Sequence, residues 1–269
     1  MQTGAGVARG LFDDVGPGGT VLLRMLFGAI VLVALWRPRV SGRRREDMAV
    51  AVLFGLVLAA MNFTFYEAID RIPLGIAVTI EFAGPLAVAV AGSRRRLDLA
   101  WVVLAAVGIL LLVRTGGGGA DAAGVAFALA AAACWAGYIV LSQRVGRAFP
   151  RAEGLALAMV VGTIALVPVG VADGGSSLLT VHALAVGAVV GLLSSAIPYT
   201  LELEALRRLP ARVFGVLLSL DPAVAALAGF VILGQDLGPR ELLGIGFVVA
   251  ASAGASATAE SPEPAEALP

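Results

Sequence analysis

The sequence predicts an all-α polytopic membrane protein: a ten-segment bundle of two inverted five-helix repeats, with the first helix truncated at its N-terminus. Three observations carry that prediction. Of 269 residues, 59% are hydrophobic and only 14% charged, and the mean hydropathy is +0.94. Soluble domains carry about 25% charged residues, so too little polar surface remains here to cover a water-exposed globule. The apolar residues also run in unbroken stretches of Ala, Val, Leu, Ile and Gly. Barrel strands would alternate apolar and polar residues, which leaves the helix as the way to satisfy backbone groups in lipid. Finally, the chain matches itself at an offset of 137 residues.

A span needs roughly 20 mostly apolar residues, and about 17 suffice. Candidates lie near 20–36, 48–69, 72–92, 98–114, 120–142, 153–172, 180–203, 210–233 and 239–258. Chemically marked breaks separate them: Gly16-Pro17-Gly18-Gly19, the stretch from Arg37 to Arg45, Arg94-Arg95-Arg96, Gly116–Gly119 and Asp173-Gly174-Gly175. Residues 1–12 are too short to span at about 1.5 Å per residue. They also lack the basic-then-apolar order of a secretory signal. We read them as the outer half of a first helix, the alternative being a short amphipathic arm. The Pro- and Glu-rich residues 259–269 read as a disordered cytoplasmic tail.

Arginine placement sets the orientation. All basic residues are arginine. Fourteen fall on every second connection: Arg37 to Arg45, Arg94–Arg96, Arg144 to Arg151 and Arg207 to Arg212; the intervening connections hold 3, namely Arg71, Arg114 and Arg240. By the positive-inside rule the rich connections face the cytoplasm, and so does the C-terminus.

The internal offset places Glu67, Arg71, Pro73 and Pro85 on Glu204, Arg208, Pro210 and Pro222. Pro73 opens its segment from an outside loop and Pro210 from an inside loop, so the halves are inserted with opposite hand. That demands an odd number of spans in each, five here. The repeats are residues 1–115 and 120–258. Inverted repeats are common in secondary transporters, with the substrate site near the midplane between halves.

Several stretches carry a family likeness: Pro73-Leu74-Gly75-Ile76-Ala77-Val78 running on to Glu81-Phe82-Ala83-Gly84-Pro85, then Ala133-Cys134-Trp135-Ala136-Gly137-Tyr138, then Pro198-Tyr199-Thr200-Leu201-Glu202 with Leu209-Pro210-Ala211-Arg212. Together they resemble the drug/metabolite transporter superfamily in its EamA-type branch, over essentially the whole chain. The resemblance implies an inner-membrane (plasma-membrane) secondary transporter working by alternating access, coupled to protons. It would export small metabolites, in particular amino acids such as threonine and homoserine. Its partners are then a small-molecule substrate and the lipid bilayer. The start departs from the family pattern, since Gln2-Thr3-Gly4 looks like the middle of a family first helix.

Ionisable groups near the centre of a membrane helix cost at least about 2.5–3.5 kcal/mol, so each needs a reason. Glu81 and Asp221 both fall near mid-depth of their spans, just before Pro85 and Pro222. A proline removes a backbone donor and frees a carbonyl one turn earlier, so Pro85, Pro198 and Pro222 are candidate helix-bending residues. A bent helix with a carboxylate can bind an ammonium group or exchange a proton; the alternative is a carboxyl that bonds two helices together. Glu202, four residues after Pro198, suits either the pathway or an ion pair with Arg207 and Arg208. Glu67 and Glu204 stand four residues before Arg71 and Arg208, a spacing that favours local pairs. Asn62 with Tyr66, Trp135 with Tyr138, and Tyr199 with Glu202 share helix faces and could line a polar pocket with an aromatic wall, or bond helices to one another. Arg24 either snorkels outward or clasps a substrate carboxylate with its planar fork. Gly124, Ala128, Ala132 and Ala136, and Gly246, Ala250 and Gly254, form stripes that let helices approach closely.

The competing readings are an intramembrane enzyme and a non-transporting scaffold or sensor. Ser194-Ser195 could supply a nucleophile, but the single His182, at a segment start, is the one base available to them. A lone histidine also rules out a multi-histidine metal site, and Cys134 cannot form an intrachain disulfide. We expect no catalytic residues, no metal and no cofactor. Zero net charge argues against nucleic acid.

Overall fold

The computed structural model describes residues 2–91, 96–113, 121–199, 201 and 217–258, and all regular structure among them is helical. In chain order the helices are α1 (Gln2–Arg9), α2 (Phe12–Trp36), α3 (Arg45–Arg71), α4 (Leu74–Glu81), α5 (Ala83–Ala91), α6 (Arg96–Val113), α7 (Ala122–Ala148), α8 (Glu153–Gly174), α9 (Val181–Gly191), α10 (Asp221–Leu233) and α11 (Pro239–Thr258). A 3-10 turn at Gly175–Leu179 joins α8 to α9, and a π turn at Leu192–Ala196 follows α9. Five stretches are long and apolar enough to cross a membrane: Phe12–Trp36, Arg45–Arg71, Ala122–Ala148, Glu153–Leu179 and Val181–Tyr199. Shorter apolar helices fill the bundle between them. The outward faces carry Leu35, Ile164, Leu227 and Val231, all well exposed, as a bundle solvated by hydrocarbon requires.

The break expected at Gly16-Pro17 is a kink inside α2. Gly16 takes φ 69° and ψ 170°, a backbone state that L side chains disfavour. The helix restarts at Pro17, and the Gly18 N–H freed by the interruption donates to Asp173 Oδ2 at 2.9 Å. Asp173, expected in a connection, thus belongs to the last turn of α8 and caps α2 from the side.

Helix contacts depend on small residues. Gly170 of α8 lies against Leu22 and the Gly18 carbonyl of α2. Gly108 of α6 and Gly244 of α11 face each other's carbonyls, and a Cβ on either would stand within 2.9 Å of one. On α7 three of the four expected stripe residues are packed: Gly124 meets Ile72 and Arg71, and Ala128 and Ala132 are buried, while Ala136 is half-buried. On α11 the expected stripe is wrong. Gly246 and Ala250 are exposed, and the packed face runs instead through Gly244, Val248, Ala251 and Ala255, with Gly254 on Trp101. Ala at nearly every position leaves that register ambiguous in the sequence.

The span expected at 72–92 is two helices. It breaks at Phe82, where Pro85 supplies no N–H to the Glu81 carbonyl. Residues 2–9 form α1, which packs on α9 and α10. Arg9 closes the C-terminus of α3 by donating to the Ile69 carbonyl and, at 3.1 Å, to the Asp70 carbonyl.

Candidate functional site

The helix interruptions converge on one small cavity of about 90 Å³, open at its mouth. Its wall contains Arg24, Asn62, Glu81, Trp135, Tyr138, Tyr199 and Asp221. These come from α2, α3, α4, α7, the helical residues 197–199 after the π turn, and α10, so residues far apart in the chain meet at one place. Tyr66 is fully buried directly behind this wall, with the Arg24 guanidinium 5.4 Å from its ring centre. Of the expected pocket residues, Asn62, Trp135, Tyr138 and Tyr199 line the cavity and Tyr66 does not. Glu202 lies outside the described residues, as do Glu204, Arg207, Arg208, Pro210 and Arg212.

Glu81 is the last residue of α4, and its own carbonyl is the one released by Pro85. Its side chain is 8% exposed. Among the described residues no hydrogen bond or ion pair holds its carboxylate. Asp221 is differently served: Gln2 Nε2 donates to its Oδ2 at 3.1 Å. It also opens α10, where the positive end of the helix dipole favours an acidic residue. Pro222 does not bend this helix. It occupies the first turn, where a missing N–H costs nothing.

Arg24 is 5% exposed and points inward, so it does not snorkel. Its Nε donates to Ser195 Oγ at 3.2 Å and its Nη2 to the Ser194 carbonyl at 3.0 Å. That carbonyl is available because Pro198, four residues on, has no N–H to give it. The expected bend at Pro198 takes the form of the π turn at Leu192–Ala196 immediately before it. A buried guanidinium with two hydrogen bonds and an aromatic face behind it is held firmly in place.

The aromatic wall is fixed from outside the cavity. Trp135 meets Phe82 edge-on at 5.2 Å, so the residue at the α4–α5 break also orients the indole. Tyr138 stacks on Phe54 at 5.0 Å. Asn62 Nδ2 donates to the Leu58 carbonyl of its own helix at 2.8 Å. Sequence reasoning missed Gln2, Ala5, Met61, Phe65 and Leu218 in the wall. Among these only Gln2 is polar, and nothing in its neighbours marks it.

Other expected residues sit apart. Glu67 and Arg71 form the anticipated pair at 2.6 Å, with Arg71 over the Phe127 ring. His182 Nε2 lies 3.5 Å from Asp14 Oδ2, and Ser195 Oγ accepts from Arg24, so Ser195 and the histidine serve different partners.

A membrane-embedded helical bundle that closes a charged, aromatic-walled cavity is built as a small-solute transporter. Residues 122–257 match the EamA-like transporter family. The chain is 41% identical over 260 residues to the threonine/homoserine exporter RhtA of Escherichia coli K12, covering 96% of this chain and 88% of that one. RhtA of Salmonella typhimurium LT2 matches with the same identity and coverage. The uncharacterized transporter YwfM of Bacillus subtilis 168 is 27% identical over 84% of this chain and 79% of its own. A solved crystal structure of another protein shares the fold at a TM-score of 0.63 and 20% identity, over 96% of this chain and 95% of that one. The chain belongs to the EamA-like transporter family, and it is a transporter rather than an enzyme.

Proposed function

We propose that this protein exports threonine, homoserine or closely related small amino acids across the inner membrane as a secondary transporter. The observation that carries the reading is the cavity itself. Buried ionisable groups of both kinds, Arg24, Glu81 and Asp221, face one space, and the carboxyl of Glu81 has no protein partner there among the described residues. Such groups are costly in a membrane protein unless something polar visits them. The substrate class comes from the exporters of 41% identity, which the chain parallels along 96% of its length.

The cycle is alternating access between two inverted five-helix repeats, residues 1–115 and 120–258, with the cavity between them. Support comes from the paired interruptions: Glu81 stands beside the Phe82 break and Pro85, and Asp221 beside the turn at Ser219–Leu220 and Pro222. The arginine-rich connections and the C-terminus, including the tail 259–269, face the cytoplasm. In keeping with that orientation, Arg43 of one rich connection pairs with Glu153 beside another at 2.9 Å. At the opposite end Asp14 meets His182. Proton exchange at Glu81 or Asp221 supplies the driving force.

The test is export of labelled threonine from cells or proteoliposomes carrying the full chain, with protein abundance measured alongside. Wild type exports, and Glu81→Ala reduces the flux at least roughly 30-fold at equal abundance. Unaltered flux in that variant removes Glu81 from the site, and absence of export by the wild type removes the substrate class.

A further inference from the structure

We infer that the cavity takes a zwitterionic α-amino acid in one orientation, carboxylate on Arg24 and ammonium on Glu81, and that Ser195 and the Ser194 carbonyl are the positioning groups that aim Arg24. The inference rests on the exporter reading and deepens it.

The geometry behind it is a pair of opposite charges that do not touch. Arg24 and Glu81 line the same cavity and lie within electrostatic reach of each other. No ion pair joins them, however, since none of the salt bridges within 4.0 Å links the two. A buried charge left without its partner is strongly unfavourable. Here Arg24, hydrogen-bonded to neutral groups alone, and the Glu81 carboxyl line one space, and a molecule carrying one charge of each sign would pair with both together.

The polarity follows from the donors. Arg24 presents a planar fork suited to a carboxylate. Two arms of that fork are committed: Nε to Ser195 Oγ and Nη2 to the Ser194 carbonyl. The Tyr66 ring covers one face of the guanidinium. These contacts restrain its rotation and leave Nη1 as the arm that neither hydrogen bond uses. The Ser194 carbonyl is open to Arg24 because Pro198 withholds the N–H that would otherwise fill it. A helix-breaking proline on one element therefore aims a cation on another. The Glu81 carboxyl, which has no bonded partner among the described residues, lines the same cavity as Trp135 and Tyr138, a carboxyl and two aromatic rings that together favour an ammonium group.

The experiment is uptake of labelled threonine by proteoliposomes of the full chain, in competition with three unlabelled compounds. Threonine carries both charges, threoninamide lacks the carboxylate, and 3-hydroxybutyrate lacks the ammonium. In the wild type, threonine competes at least about tenfold better than either analogue. In Arg24→Gln, its advantage over threoninamide disappears while its advantage over 3-hydroxybutyrate remains; Glu81→Gln gives the mirror image. Ser195→Ala keeps the guanidinium and raises KM about tenfold with kcat little changed. Ser195→Thr, which restores the hydroxyl, returns KM to the wild-type value.

Equal competition by threonine and threoninamide in the wild type overturns the orientation, whether or not the variants insert. An unchanged KM in Ser195→Ala overturns the positioning role. A wild type that takes up no threonine at all instead defeats the exporter reading on which the inference stands.

Discussion

Glu81 and Asp221 occupy comparable places, each at a helix interruption beside a proline, yet the protein treats them differently. Glu81 ends α4 with no bonded partner among the described residues, while Asp221 begins α10 with Gln2 on its carboxylate. The first is a buried carboxyl with no bonded partner among the described residues. The second is already half satisfied, by an amide donor and by the dipole of its own helix. Two acidic residues that look alike in a hydrophobic sequence therefore stand differently: Asp221 ties α1 to α10 at the edge of the cavity, while Glu81 is the one we propose meets the solute.

The largest expected effect breaks that contrast directly. Glu81→Gln should lower threonine export at least roughly 30-fold. Asp221→Asn keeps an acceptor for Gln2 and should lower it only about 2–10-fold. Paired flux measurements at matched abundance decide the comparison, and equal losses would make the two carboxylates one functional unit. A smaller effect is expected at Pro198. Pro198→Ala restores an N–H that competes with Arg24 for the Ser194 carbonyl, so KM for threonine should rise about fivefold while abundance holds. The smallest effect on transport belongs to the kink in α2. Gly16→Ala places a Cβ at φ 69°, and about 3.0 Å from Asp173 Cβ. It should cost about 1–2 kcal/mol of stability, read as a lower thermal midpoint in detergent, with substrate selectivity unchanged.

Much of this architecture was legible in the sequence because lipid punishes exceptions. A carboxylate or arginine inside an apolar run is conspicuous, so Glu81, Asp221 and Arg24 announced themselves, and Asn62, Trp135, Tyr138 and Tyr199 fell on the same wall, with Tyr66 behind it. The direction of Arg24 was not legible. Snorkelling and inward clasping use the same residue at the same depth, and the choice is made by Ser195 and the freed Ser194 carbonyl on a distant helix. Gln2 was placed in a helix but not in the site, since an uncharged polar side chain at the start of a short helix does not show which way it faces. The break at Phe82 was hidden because hydropathy runs unbroken across it; Pro85 marked a bend, but not which carbonyl it would release. On α11, alanine on several faces made one stripe as plausible as the next, and the crossing with Gly108 selected another.

The central claim is that the cavity's opposite charges are completed by the two charges of the solute. Equilibrium binding of labelled threonine to the purified full-length protein in detergent, in wild type, Arg24→Gln and Glu81→Gln of equal thermal stability, tests it most directly. The account predicts saturable binding in the wild type and a loss of at least about tenfold in affinity in each variant. Affinity undiminished by either substitution would contradict it.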